Sequence, residues 1–438
     1  MSRLPVQLAG RMLMGLAFAQ PFVALGQSVD LTALTLTQAE ELLQARNREL
    51  QAARRALEAA GANTLSAGAR PNPTLSFGVS TINLKEGVGS GPLQDKIVDS
   101  SVRIDQVIER GDRRELRLAN ARSLESASTE DLSDTQRQQR LALRYAYYDL
   151  LFAQDKVDIA RDTIALFEGS VRAAELRLKA GDIAMADVAR LRVDALRAQN
   201  DARAAEADQR RAQFALAYMI GAEARAIGIR AADAWPSIYS GRPGGSVEEL
   251  IDARPDVRAA KRRLEAAQSA RELARSLRTR DVSVGASYDH YPVNPSYAQG
   301  SGAGTGSSFG VFLSMPLFVG YYYEGEIRRS EVDYTAAIEA LDKVRAQART
   351  EIARAFSDLQ AAAERLQRYD ESLLIEARRA ADSAEFAYKN GAIGVMDLLD
   401  ARRTLRAIQI DAASARNDHA KALAAWQAGI GRLDDESR

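Results

Sequence analysis

The sequence predicts a mainly α-helical chain that carries four β-strands long enough to cross a membrane, with one architecture written twice. Three observations predict it. Residues 113–179 and 326–390 contain no Pro and almost no Gly. Four segments, near 73–82, 98–109, 281–291 and 307–318, alternate apolar and polar residues. An offset of 210 aligns Ala174–Gly221 with Ala384–Gly431 at 16 identical positions of 48, and only five of these are Ala pairs.

Composition narrows the function classes. Charged residues make up 27% of the chain and the formal net charge is zero. A nucleic-acid binder carries a basic excess, so no nucleic-acid partner is expected. With no Cys and only His290 and His419, thiolate and zinc chemistry are excluded. No nucleophile–His–acid set, phosphate loop or metal-ligand spacing is found. No catalytic residue, metal site or cofactor is expected, and the chain is not read as an enzyme.

Residues 1–26 read as a secretory signal. Arg3 and Arg11 supply the positive start, Met12 to Ala19 the apolar stretch, and Ala24 and Gly26 the small residues before a cleavage at Gln27. The context ALGQ lacks the Cys that would accept a lipid. The first repeat is then 27–240 and the second 241–438, with the seam at the Pro/Gly-rich SGRPGGS.

Each repeat begins with a helix, marked by LEAA at 57–60 and again at 264–267. Two strands follow. Leu75, Phe77 and Val79 line one face of the first, and Val102, Ile104 and Ile108 one face of the second. Asp99, Ser101, Arg103 and Asp105 face the other way. The later pair repeats the pattern with Val282, Val284, Ala286 and Tyr288, then Phe309, Val311, Leu313 and Met315. About ten residues is the length of a tilted membrane strand. The strand pattern alone fits half-buried hairpins on a soluble sheet better, because barrel signals are weak in each segment.

Helices are predicted over 113–179, 187–220, 326–389 and 397–429. The long ones would run about 100 Å at ~1.5 Å per residue. Leu141, Tyr145, Tyr148, Phe152 and Ile159, and Ile352, Phe356, Leu359, Ala363 and Leu366, have coiled-coil spacing. Their charged remainder places them in water. Turns at Gly181 and Gly391 fold each long helix back on itself.

Four strands cannot close a membrane barrel, and open edges are not tolerated in lipid. If the strands cross a membrane, several chains must pool them: two chains give eight, three give twelve.

The Gly-x-Ile-x-x-x-Asp turns at 181–187 and 391–397, their duplication, and the junctions IDQVIERG and LSMPLFVG resemble the TolC family of outer-membrane efflux proteins over nearly the whole mature length. That resemblance implies a homotrimer with a 12-stranded barrel in outer-membrane lipid and an α-helical barrel reaching into the periplasm. It implies docking to a periplasmic adaptor and an inner-membrane pump. IERGDRRELR, with Arg113, Arg114 and Arg117, resembles the heavy-metal-cation branch, although Asp112 departs from its pattern. The resemblance also assigns roles at the tip. Asp397 and Asp400 match acidic rings at the channel constriction. Tyr388 and Asp187 match a hydrogen-bonded gating lock between hairpins. Gly181, Ile183, Gly391 and Ile393 mark the hairpin-tip turns that meet the adaptor. A second lock of the family, an Arg with a Thr, is replaced here by Ile393 and Ala186.

Plainer readings stand beside these. Asp187 and Asp397 sit where an acid caps a helix start. Tyr388 could serve packing alone. Arg402 and Arg403 read as a solvated face or as partners of Asp400. His290 and His419 read as surface residues. A type I protein-secretion duct or a periplasmic coiled-coil adaptor are the competing functions.

Overall fold

The computed structural model describes residues 30–82, 84–85, 87–92, 96, 98–238, 246–291 and 306–431. The signal segment and most of the SGRPGGS seam lie outside the described residues. One order of elements is read twice. The first half runs α1 (Leu36–Arg46), α2 (Arg48–Gly68), β1 (Thr74–Ser80), β2 (Asp99–Ile108), α3 (Arg113–Ala180) and α4 (Met185–Ile220). The second runs α5 (Val247–Ala253), α6 (Pro255–Ser276), β3 (Val282–Tyr291), β4 (Gly306–Ser314), α7 (Glu324–Arg368), α8 (Leu374–Lys389) and α9 (Val395–Gly429).

Local chemistry fixes several boundaries. Thr35 and Ser246 open α1 and α5 with reciprocal capping boxes to Gln38 and Glu249. Pro255 opens α6, where its missing N–H costs nothing. The strand expected over 307–318 stops at Ser314, because Pro316 cannot donate to a ladder. Between α7 and α8 a single π-helical turn, Tyr369–Leu373, lets the second long helix continue without a break. Its counterpart α3 is α-helical throughout its 68 residues.

The strands form one antiparallel sheet in the order β1-β2-β3-β4. Register places Phe77, Val102, Tyr288 and Phe309 in one cross-strand row, and Leu75, Ile104, Ala286 and Val311 in the next. Side chains alternate between faces, so both rows lie on one side. That side is apolar and uncovered: Phe77 is 75% exposed, Phe309 85% and Val311 84%. The opposite side carries Ser76, Gly78, Ser101, Arg103, Asp105, Ser283, Gly285, Ser287 and Asp289. There Arg103 pairs with Asp105 and lies over the Phe312 ring, and Ser287 bonds Asp289 at 2.7 Å. An uncovered apolar face opposite a polar one is the pattern of a barrel wall, lipid outside and water within. Among the described residues, β1 and β4 pair on one side only. No helix among the described residues is long and apolar enough to cross a membrane.

Buried side chains concentrate along the helices. One cluster gathers Leu34, Leu43, Leu50, Tyr147, Leu150, Leu216 and Ile220 where α1 and the 223–231 segment wrap α3. The Tyr147 hydroxyl shares its one hydrogen between Asp233 Oδ2 at 2.7 Å and Leu34 O at 2.9 Å, and accepts from the backbone N–H of Asp233. Another gathers Ile352, Leu359, Leu423 and Trp426 between α7 and α9. The α7 seam expected from spacing is thus buried at Ile352, Leu359 and Leu366. Of the expected α3 seam only Tyr148 is buried; Leu141, Tyr145, Phe152 and Ile159 are half-buried, and Leu143, Tyr147, Leu150 and Val157 are the deepest residues. Helix α3 packs against α2, α4, α6 and α9, so its apolar stripe is wide and neighbours decide the deepest line. His419, expected at the surface, is fully buried on α9 without a hydrogen-bond partner for either ring nitrogen.

The sheet joins the helices through arginines. Arg113 bonds Asp281 and the carbonyls of Ser276, Leu277 and Thr279. Arg114 bonds Gly68 O, and Arg117 bonds Ala67 O, Ala69 O and Glu109. Gly111, at φ +71°, brings this joint so close to Thr279 that a Cβ would sit 2.9 Å from its Cβ.

Two outcomes follow from this packing. Arg113→Met should destabilise the fold by about 3 kcal/mol, since Asp281 and three carbonyls lose a largely buried partner; thermal unfolding in detergent measures it. Burial holds the His419 imidazole below its ordinary pKa. Its neutral form is therefore favoured in the fold, and stability is lost as pH falls below the unfolded value of about 6.5. His419→Leu should flatten the unfolding midpoint between pH 7 and 5, whereas an unchanged slope would assign the acid sensitivity elsewhere.

Candidate functional site

The two hairpins, α3–α4 and α8–α9, end side by side. Glycine in the left-handed region stops each long helix: Gly181 at φ +84° and Gly391 at φ +70°. Their N–H groups bond back to Leu178 O and Tyr388 O, the usual αL termination. Beneath the turns lies a shared core of Phe167, Ala174, Val188, Leu191, Tyr388, Val395, Leu398 and Leu399. Ile183 and Ile393 pack against this core, half-buried. The exposed apolar side chains at this end are Met185, Met396, Leu176 and Phe386. Leu176 and Phe386 are repeat equivalents, 67% and 72% exposed. Sequence reasoning missed them, though the offset of 210 relates them directly.

The acids divide by environment. Asp397 accepts from the Gly394 N–H at 3.3 Å and so contributes to the α9 start. Asp187 lies 3.4 Å from Arg190 and makes no cap bond. Asp400 is exposed on α9 with no ion pair or hydrogen bond among the described residues. The expected Tyr388–Asp187 bond is not made. The Tyr388 hydroxyl is buried without a partner, its ring lies under the Arg177 guanidinium at 5.1 Å, and its carbonyl accepts from Arg177 at 3.3 Å.

Arg402 and Arg403 are not partners of Asp400. Arg402 reaches Ser170, Leu166 O and Glu385. Arg403 places one nitrogen 2.7 Å from both oxygens of Asp194, whose side chain is 6% exposed. Arg406 pairs with Asp201 at 2.7 Å. Farther along, Lys421 and Asn417 bond Asp149. A row of α9 donors thus ties the second hairpin to the first. Other bridges are internal and duplicated. Arg192–Glu175 braces the first hairpin and Arg402–Glu385 the second, and both members are identical at the repeat offset. Lys389, with Arg402, holds the Glu385 carboxyl below its ordinary range. No group of acids or His that could hold a metal is found among the described residues.

This architecture defines a class: a chain that contributes part of a lipid-facing barrel wall and a long helical duct ending in a tight turn pair. Residues 40–222 and 247–432 match the outer membrane efflux protein family, and the chain belongs to that family. The pyoverdine export outer membrane protein OpmQ of Pseudomonas putida is 25% identical over 400 residues, covering 84% of this chain and 80% of the relative. The outer-membrane channel OprN superposes with a TM-score of 0.75 at 24% identity, over 90% of this chain and 89% of the other. The outer membrane protein VceC of Vibrio cholerae gives 0.73 at 19% identity, over 90% and 96%. The fold is thus that of the trimeric TolC-like channels, sited in the outer membrane with a periplasmic helical extension.

Since the Tyr388 hydroxyl has no partner, Tyr388→Phe should leave stability unchanged or raise it by about 1 kcal/mol. Arg177→Ala, which removes both the ring contact and the carbonyl bond, should lower it. Chemical unfolding midpoints separate the two. A marked loss in Tyr388→Phe would restore a hydrogen-bonding role for the hydroxyl.

Proposed function

We propose that this protein is the passive outer-membrane exit duct of a tripartite efflux system, trimeric, with a periplasmic adaptor and an inner-membrane pump as partners. One observation carries the reading. A single chain joins an edge-open sheet with an uncovered apolar face to a paired helical extension of about 100 Å, given ~1.5 Å per residue. Three chains complete a 12-stranded barrel and remove every free edge. No catalytic step is assigned, since transport energy comes from the pump.

Small molecules are the proposed cargo. The relative OpmQ is a pyoverdine export protein by its printed name. Nothing in the junction favours metal cations: Arg113, Arg114 and Arg117, which suggested the heavy-metal branch, are occupied in stapling the sheet to the helices. Gly181 and Gly391 turn the tips toward the adaptor, with Leu176, Phe386, Met185 and Met396 as the exposed contacts.

Control of the tip is assigned to two sets of residues. Asp400, with Asp397 beside it, forms the acidic constriction when three copies converge. The link from inner to outer hairpin passes through Arg402, Arg403 and Arg406 in place of a Tyr388–Asp187 lock.

Planar-bilayer recording tests both. Asp400→Asn should reduce cation selectivity and block by trivalent cations, since acid rings select cations. Asp397→Asn should do less. Unchanged reversal potential and block in the double variant would remove the ring. Arg403→Ala leaves Asp194 with only Arg197 at 3.9 Å. It should weaken the link by about 1–3 kcal/mol per chain, the pair being half-exposed on the arginine side. Open probability should rise, and identical closed-state conductance would count against the link. A water-soluble monomer by mass measurement would overturn the duct itself.

A further inference from the structure

We propose that Arg110 and Arg280 form a binding site for the phosphate-bearing headgroup of a phospholipid in the periplasm-facing leaflet; the proposal rests on the outer-membrane placement. The register of β2 and β3 pairs Ile108 with Val282. Arg110 and Arg280 lie just past the paired residues, two beyond Ile108 and two before Val282, where the Arg110 N–H bonds Asp281. Carried past the strand ends, the alternation assigns both to the face of Ile104, Ile108, Val282 and Val284, the lipid-facing side. The intervening acids point the other way and are occupied: Glu109 by Arg117, Asp281 by Arg113.

The two guanidiniums have no ion pair among the described residues. Arg110 is exposed, and its side chain makes no hydrogen bond among the described residues. Arg280 lies over the Phe318 ring at 5.2 Å, and its Nε is buried without an acceptor. Two like charges at adjoining strand ends repel, so an anion shared by them is favoured. Phosphate matches the guanidinium fork.

The surroundings select lipid as the source of that phosphate. Met315, Leu317 and Val319 are exposed apolar residues at the same foot of the sheet, and Tyr321 and Tyr322 stand half-exposed beside them. Tyrosines mark the level where hydrocarbon gives way to headgroups. Arginines at that level meet phosphate rather than bulk water. Strands β2 and β3 are also the inner pair of the sheet, so the site lies away from the edges that other copies would cover.

The test uses the full-length trimer, delipidated in neutral detergent, with phosphatidylglycerol added and retained lipid read by native mass spectrometry. The Arg110→Gln/Arg280→Gln variant should lower apparent affinity about 30-fold, from ~1 kcal/mol per arginine at a lipid surface. Each single variant should lower it less. Arg349→Gln, on α7 in the helical extension, should change nothing. Equimolar inorganic phosphate should not displace the lipid. Retention unaffected in the double variant would overturn the site, as would displacement by inorganic phosphate, which would mean a free-anion site. A trimer that inserts and conducts normally but ignores the arginines refutes this proposal alone. A chain that needs no detergent refutes the outer-membrane reading with it.

Discussion

The need to satisfy every backbone N–H and C=O in lipid governs this molecule. Hydrocarbon offers no water to an unpaired strand edge, and each orphaned group there costs several kcal/mol. The sheet β1-β2-β3-β4 satisfies its interior but leaves β1 and β4 half-paired. Its apolar face, with Phe77, Phe309 and Val311, has no second layer over it among the described residues. Among the described residues nothing meets either deficit, and association in a bilayer meets both. The protomer is therefore complete only as part of a closed wall.

That constraint explains where the polar chemistry sits. The helices follow the usual rule of buried apolar seams and solvated charge. At the joint between the two regimes the chain must change direction without exposing carbonyls. Arg113, Arg114 and Arg117 take up the ends of α2 and α6, while Gly111 lets the backbone approach Thr279. A motif that suggests a cargo in the sequence is, in three dimensions, a joint.

Duplication gives the tip its logic. Arg192–Glu175 and Arg402–Glu385 brace the two hairpins in the same way. Symmetry breaks at Arg190 and Asp400, and at Asp194 and Thr404. These are positions where one hairpin differs from the other: Asp400 has no ion pair among the described residues, and Asp194 receives Arg403 from the neighbouring hairpin. The identical Arg–Glu pairs brace each hairpin, Arg402 also crosses to Ser170 and Leu166 O, and the diverged Asp194 receives a link that its counterpart Thr404 cannot accept as a carboxylate.

Most elements and the faces they bury are legible from local sequence. Pro-free runs, αL glycines and period-two alternation are local signals, and they specify α3, the turns at Gly181 and Gly391, and the apolar side of every strand. Asp397 was also legible, because capping involves residues three apart. The tertiary structure decided which faces meet. The deepest line of α3 passes through Tyr147 and not Tyr145, since several helices surround it. His419 is buried because α9 is enclosed on several sides, a fact no window of α9 contains. Arg403 finds Asp194 across 209 residues, while Tyr388 turns its hydroxyl into a core without a partner. Contacts of that separation depend on how two hairpins settle against each other, and helical periodicity carries no information about a neighbour's rotation.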